Sequence, residues 1–113
     1  MENKIKNIDS KKIFISSTLR TKWNRDYNLA LCKALEERSL NCFLPQRDVD
    51  TTNNATIANN NISAINNCKV LISVGFNESP NLGFEAGYAY GINKPIIIIR
   101  LLRKVKKTHY IVI

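Results

Sequence analysis

VLISVGFNESPNLGFEAGYAYGINKPIIII, residues 70–99, is the stretch on which the fold turns. Val70 to Val74 is a continuous apolar run with the length of a strand, and Pro95 to Ile99 is another. Neither alternates with polar residues, which is the pattern of strands covered on both faces. Between them Gly75 to Pro80 reads as a loop and Phe84 to Tyr90 as a helix. A strand, a helix and a second buried strand make the repeating unit of a parallel sheet.

The same alternation extends toward the N-terminus. Ala55 to Asn67 reads as a helix with Ile57, Ile62 and Ile65 on its apolar face, although its many asparagines are poor helix formers. Residues 46–54 form a polar loop, and Cys42 to Leu44 is a short strand stopped by Pro45. Asn24 to Arg38 reads as a helix, with Tyr27, Leu31, Ala34 and Leu35 on one face. Lys12 to Ser17 is a buried strand that ends in hydroxyl residues. The chain therefore reads as one α/β domain over residues 1–113, of Rossmann or flavodoxin-like three-layer form. Its central parallel sheet is expected to have about four or five strands. Residues 1–10 read as a flexible start, and 101–113 as an atypical basic tail whose last four residues have strand character.

Composition narrows the function. A chain of 113 residues can bury a single core without staples. The cysteines, Cys32, Cys42 and Cys68, are odd in number and include no CxxC pair, so buried thiols in a reducing, cytoplasmic setting are expected. His109 is the only histidine, and no zinc-ligand spacing occurs. Met1 to Lys12 carries no apolar signal segment, and Ile96 to Ile99 is far too short to cross a membrane. Of the net charge of +8, five positive charges lie in residues 100–107, which leaves +3 for the rest. A lysine-rich tail is usually a solvated segment, so nucleic acid is not the favoured partner.

In an open parallel sheet ligands bind beyond the carboxyl ends of the strands, where strand order reverses. The loops at those ends hold Ser16 to Arg20, Gln46 to Asp48, Gly75 to Gly83 and the segment after Arg100. The third leads into Gly83-Phe84-Glu85-Ala86-Gly87-Tyr88-Ala89. Glu85 is read in the first helical turn, where a glutamate also serves simply to complement the helix dipole. Gly83 is expected to allow close approach of a ligand, and Gly87 to let the helix lie close to the sheet. A carboxylate so placed can attack a sugar carbon and divide one hard substitution into two easier ones.

Gly83 to Ala89, followed by Gly91-Ile92-Asn93-Lys94-Pro95-Ile96-Ile97, closely resembles the signature of nucleoside 2-deoxyribosyltransferases and the related nucleoside 5′-monophosphate N-hydrolases. Lys12 to Ile15, Phe43 to Asp48, and Ile62 and Ile65 before Val70-Leu71-Ile72 extend the likeness to about residues 11–100. The resemblance implies an enzyme that cleaves N-glycosidic bonds of (deoxy)nucleosides or their 5′-monophosphates, with Glu85 as the catalytic nucleophile and no cofactor or metal. It implies a homodimer or larger assembly in which a neighbour closes the site. Phe14, Ser17, Thr18, Arg20, Gln46, Asp48, Asn61, Ser79 and Gly83 are the expected substrate-binding residues.

The chain also departs from that pattern. Phe14 stands where the family often has a tyrosine whose hydroxyl touches the nucleophile. Ser79 and Asn61 stand where the transferases place aspartates. Ser79, Thr18 and Arg20 instead match the monophosphate hydrolases and suit a phosphate, because hydroxyls donate and arginine binds two oxygens. Ser16, Ser17 and Thr18 equally suit the capping of a turn. After Arg100 the likeness ends; family members usually continue into a further helix. Two alternatives remain. A TIR-like NAD glycohydrolase also uses a glutamate near a helix start, without the Gly-Tyr-Ala continuation. A non-catalytic nucleotide-binding or interaction module on the same fold accommodates Phe14, Asn61 and the tail.

Overall fold

The computed structural model describes residues 12–49, 53–75, 79–102 and 107–112. Residues 1–10, Glu78 and most of the basic segment after Arg100 lie outside the described residues. The elements run β1 (Ile13–Ser17), α1 (Lys22–Glu36), β2 (Cys42–Phe43), α2 (Pro45–Asp48), α3 (Asn54–Asn67), β3 (Val70–Val74), α4 (Pro80–Gly91), β4 (Ile96–Leu102) and β5 (Lys107–Val112). The strands form one sheet in the order β2-β1-β3-β4-β5. The first four are parallel, as expected, and β5 runs antiparallel to β4. Strand order reverses between β1 and β3, so the C-terminal edge of those two strands is the place for a ligand.

The period of two along each strand sorts the core into two layers. Ile13 and Ile15 of β1 and Ile72 and Val74 of β3 face α1 and pack with Cys32, Cys42, Leu44 and Ile99. Phe14 and Leu71 face the other way and pack with Phe43, Ala64, Ile65, Ala89 and Ile96 beneath α3 and α4. The strands thus lack polar alternation because both faces are covered. All three cysteines are free and buried within these layers, and burial pushes the Cys42 thiol up to about 12.

Helix boundaries moved where a cap decided them. The α1 helix starts at Lys22, because the Thr21 side chain accepts a hydrogen bond from Asn24 N at 3.1 Å. Part of the polar loop expected after Pro45 is the short helix α2, with the proline at its start. The larger shift is in α4. Its first residue is Pro80, not Phe84, because Ser79 caps it by accepting from Leu82 N at 3.4 Å. Glu85 is therefore in the second turn. The dipole reading is overturned, since that effect fades beyond the first turn. The packing role expected of Gly87 is overturned as well, because a Cβ there would meet nothing within 4 Å. Among the described residues no helix is long and apolar enough to cross a membrane.

Phe14 is fully buried and stacks on Phe43, with ring centroids 5.6 Å apart. Phe14→Ala is expected to lower the unfolding free energy by about 3–5 kcal/mol, read from a denaturant titration. A loss below 1 kcal/mol would show that the ring is not part of the core.

Candidate active site

Glu85 is the one charged residue of α4, and it shares the inward face with Leu82 and Ala89, both buried. On α3, Asn61 stands one turn from Ile57 and one from Ile65, in the row that faces the core. On β1, Ser16 lies two residues beyond Phe14 and on the same sheet face. These three side chains meet. Ser16 Oγ donates to Glu85 Oε1 at 2.6 Å. Asn61 Nδ2 donates to Glu85 Oε2 at 3.3 Å. Both donors are neutral, and among the described residues no cation bonds to the carboxylate.

Burial raises the Glu85 carboxyl above its ordinary value, and the bonds from Ser16 and Asn61 offset only part of that rise. Two buried polar atoms nearby in the fold, Asn61 Oδ1 and Ser73 Oγ, have no hydrogen-bond partner among the described residues. Ser73 is in register with Ser16 on the neighbouring strand, so both hydroxyls project from the same sheet face. An unsatisfied buried group costs about 1–3 kcal/mol.

Glu85 opens on a cleft of about 410 Å³. Its lining includes Ser17 at the end of β1, Thr18 and Arg20 from the loop that follows, Asn61 from α3, and Ser79 and Asn81 at the start of α4. Thr18 Oγ1 accepts from Arg20 N at 3.3 Å, while Ser79 Oγ caps α4. Both hydroxyls act as acceptors there, and each keeps its own proton to donate. Arg20 is exposed, and among the described residues no acid pairs with it. The capping and phosphate-binding readings of these hydroxyls are thus compatible.

Four expected residues are not brought to the cleft. Phe14 is core, because its position on β1 points it at Phe43 under α3. Gln46 is committed to α1: Asn28 Nδ2 donates to its Oε1 at 2.9 Å, and its Nε2 donates to the Arg25 carbonyl. Asp48 accepts from Leu44 N at 2.9 Å and from Arg47. Gly83 is exposed, and the space around its Cα is open rather than closed on a ligand. In the other direction, Ser16 was not among the expected contacts. Its signal was the same alternation that placed Phe14: the next residue on that face carries a hydroxyl one step nearer the strand end. Among the described residues no group of three or more His, Cys, Asp or Glu side chains is placed to hold a metal ion.

The sequence model of the family described as nucleoside 2-deoxyribosyltransferase matches residues 13–108. The chain belongs to that family. The fold agrees with that of solved structures. A 2-deoxyribosyltransferase from Leishmania mexicana superposes with a TM-score of 0.69 at 19% identity, over 81% of this chain and 65% of that one. A conserved protein from Enterococcus faecalis V583 superposes with a TM-score of 0.65 at 20% identity, over 76% of this chain and 60% of its own. The deoxyribosyltransferase-family chain thus spans less than two thirds of the length of either protein. No curated protein matches it.

The raised Glu85 carboxyl has a consequence for stability. Folding favours its neutral form, so its contribution is fully present below the unfolded pKa and is lost as pH rises through the higher folded pKa. Glu85→Gln removes that loss. The variant is expected to gain stability over wild type as pH rises toward neutral, with the gap closing below the ordinary glutamate pKa. Chemical denaturation across pH 3–8, on the order of five points, reads the gap. A gap that instead favours wild type at neutral pH would show that Glu85 folds as a stabilising anion.

Proposed function

We propose that this protein cleaves the N-glycosidic bond of (deoxy)nucleosides or their 5′-monophosphates, with Glu85 as nucleophile. One observation carries the reading: a carboxylate largely withdrawn from water is held by Ser16 and Asn61 without a cation, at a cleft edged by hydroxyls and Arg20. Family membership supports the same chemistry.

In the first step a Glu85 oxygen forms a bond to the anomeric carbon. The base leaves with the bonding pair and takes up a proton. Positive charge that develops on the sugar is stabilised by the adjacent carboxylate. Ser16 and Asn61 fix the direction of that carboxylate, which shortens the search for a productive geometry. The product is a sugar ester on Glu85. In the second step water or a second base attacks the same carbon, and the ester pair returns to the carboxylate. Neither step calls on a metal or a cofactor. Ser17, Thr18, Arg20 and Ser79 are the proposed seat of a 5′-phosphate. A homodimer or larger assembly, in which a neighbour closes the cleft, belongs to the same reading, as does a cytoplasmic setting in which the three thiols stay reduced.

Incubation with deoxynucleosides and their 5′-monophosphates, with and without an acceptor base, separates exchange from release. Glu85→Gln is expected to lose kcat on the order of 10³-fold or more while substrate binding survives. Activity is expected to fall as pH drops through the raised Glu85 pKa, because the nucleophile must be ionised. Arg20→Ala is expected to lower kcat/KM for the 5′-monophosphate roughly tenfold or more and to leave the unphosphorylated nucleoside little changed. Release of base by Glu85→Gln at the wild-type rate would remove Glu85 from the chemistry. Bound nucleotide without any base release, from wild type, would make the protein a binding module.

A further inference from the structure

Ser73 is fully buried, and its Oγ has no hydrogen-bond partner among the described residues. A buried hydroxyl left alone is unfavourable, so its surroundings decide what it does. The sheet register gives those surroundings. Ser73 lies between Ser16 on β1 and Ile98 on β4, and the residue before it on that face of β3 is Leu71. Of these three neighbours, Ser16 alone carries a polar side chain. Ser16 gives its proton to Glu85 Oε1 at 2.6 Å, which leaves the lone pairs of its oxygen to accept. Neighbouring strands lie about 4.8 Å apart. Two hydroxyls in register on one face therefore come within reach when a staggered rotation of Ser73 turns its Oγ toward β1.

We propose that Ser73 is a positioning residue: its hydroxyl donates to Ser16 Oγ, and the chain Ser73–Ser16–Glu85 holds the carboxylate ionised and aimed at the cleft. This deepens the reading of Glu85 as nucleophile and rests on it. Ser73 touches no substrate and needs no opening to the cleft, because it acts through Ser16. Hydroxyls in series polarise one another, so a donor behind Ser16 strengthens the bond in front of it. The gain is larger when Glu85 is ionised, since a hydrogen bond to a charged acceptor is the stronger one. The chain therefore favours the charged form against the burial that disfavours it. The elements packed around Glu85 bring little charge of their own. β1, β3 and α3 contain no charged residue, and Glu85 is the only one in α4. Tyr88 of α4 gives its hydroxyl to Asn66, while Tyr90 of α4 and Arg100 of β4 are exposed. Arg20 is the one cation among the described residues that line the cleft.

The test is an NMR titration of the Glu85 carboxyl carbon in the whole chain, read beside the acid limb of the kcat/KM profile. Ser73→Ala is expected to move both midpoints up by roughly 0.3–0.6 on the pH scale. Ser73→Thr keeps a hydroxyl, and Ser73→Val has the same shape without one. The Val variant is therefore expected to titrate above the Thr variant, whatever the added bulk does to both. In a Ser16→Ala background Ser73→Ala is expected to move the midpoint no further, because the link is gone. Ser73→Ala is also expected to lower the midpoint of denaturant unfolding at neutral pH, whereas removal of a lone buried hydroxyl would raise it. A Glu85 midpoint unmoved by Ser73→Ala, equal midpoints for Thr and Val, a shift that persists without Ser16, or a raised unfolding midpoint overturns the proposal. Titration and unfolding need no turnover. Midpoints that move in a protein that releases no base leave the chain of hydroxyls standing and remove the nucleophile reading. Base release that is lost in Glu85→Gln, with a Glu85 midpoint indifferent to Ser73→Ala, does the reverse.

Discussion

A carboxylate taken out of water must find partners, and the rest of the site follows from how Glu85 finds them. It has one hydrogen bond to each oxygen, from Ser16 on β1 and from Asn61 on α3. Those bonds tie the sheet, α3 and α4 together at one point on the C-terminal edge. A cation in place of either donor would hold the carboxyl well below its present range and draw its electrons away from a substrate. Neutral donors leave the carboxyl raised and its charge uncompensated. That is an unfavourable arrangement for folding, and it is the arrangement the proposed attack on a sugar carbon would use.

The contrast with the β2 edge makes the point sharper. There Arg47 forms a fork with Glu36, with bonds of 2.9 and 3.1 Å, and also binds Asp48 and the Cys42 carbonyl. Its neighbours Asp48 and Glu36 keep the guanidinium firmly protonated. Asp48 in turn accepts from Leu44 N, which fixes the bend from β2 into α2. Charges at this edge are paired with one another and do structural work. Around Glu85 the polar atoms are under-used: Asn61 Oδ1 and, on the strand beside Ser16, Ser73 Oγ have no partner among the described residues, and Arg20 at the cleft has no acid beside it. A third such atom, Asn28 Oδ1, lies away from the cleft, on the side chain that donates to Gln46.

The parallel sheet was legible because the runs at 13–15, 70–72 and 96–99 are apolar without alternation, as strands buried on both faces are. The motif around Glu85 was legible too, since glycines flank the acid and residues 83–89 and 91–97 carry the family signature. What the sequence hid was the partner of each polar residue. Gln46 and Asp48 follow a strand end and look like cleft residues, but Asn28 on α1 and Arg47 beside them claim their side chains. Phe14 drew attention because it replaces a tyrosine; the useful residue was Ser16, two places on, because side chains on one strand face recur every second residue. Ser79-Pro80 is a strong helix-start signal, yet the helix was expected to begin at Phe84, which put Glu85 a turn too early and made the dipole an apparent explanation.

The corrected start of α4 matters for the chemistry as well as for the fold. With Ser79 as cap, the second turn carries Glu85 inward over Ser16, while the first turn leaves Ser79 and Asn81 at the cleft mouth. One helix thus supplies the partly buried carboxylate and the polar rim, about five residues apart and roughly one and a half turns along the axis. Moving the start by one residue would rotate Glu85 by about 100° and take it off Ser16 and Asn61. The cap at Ser79 therefore sets the register of the helix, the register sets where the carboxylate points, and the partly buried position of that carboxylate raises its affinity for a proton.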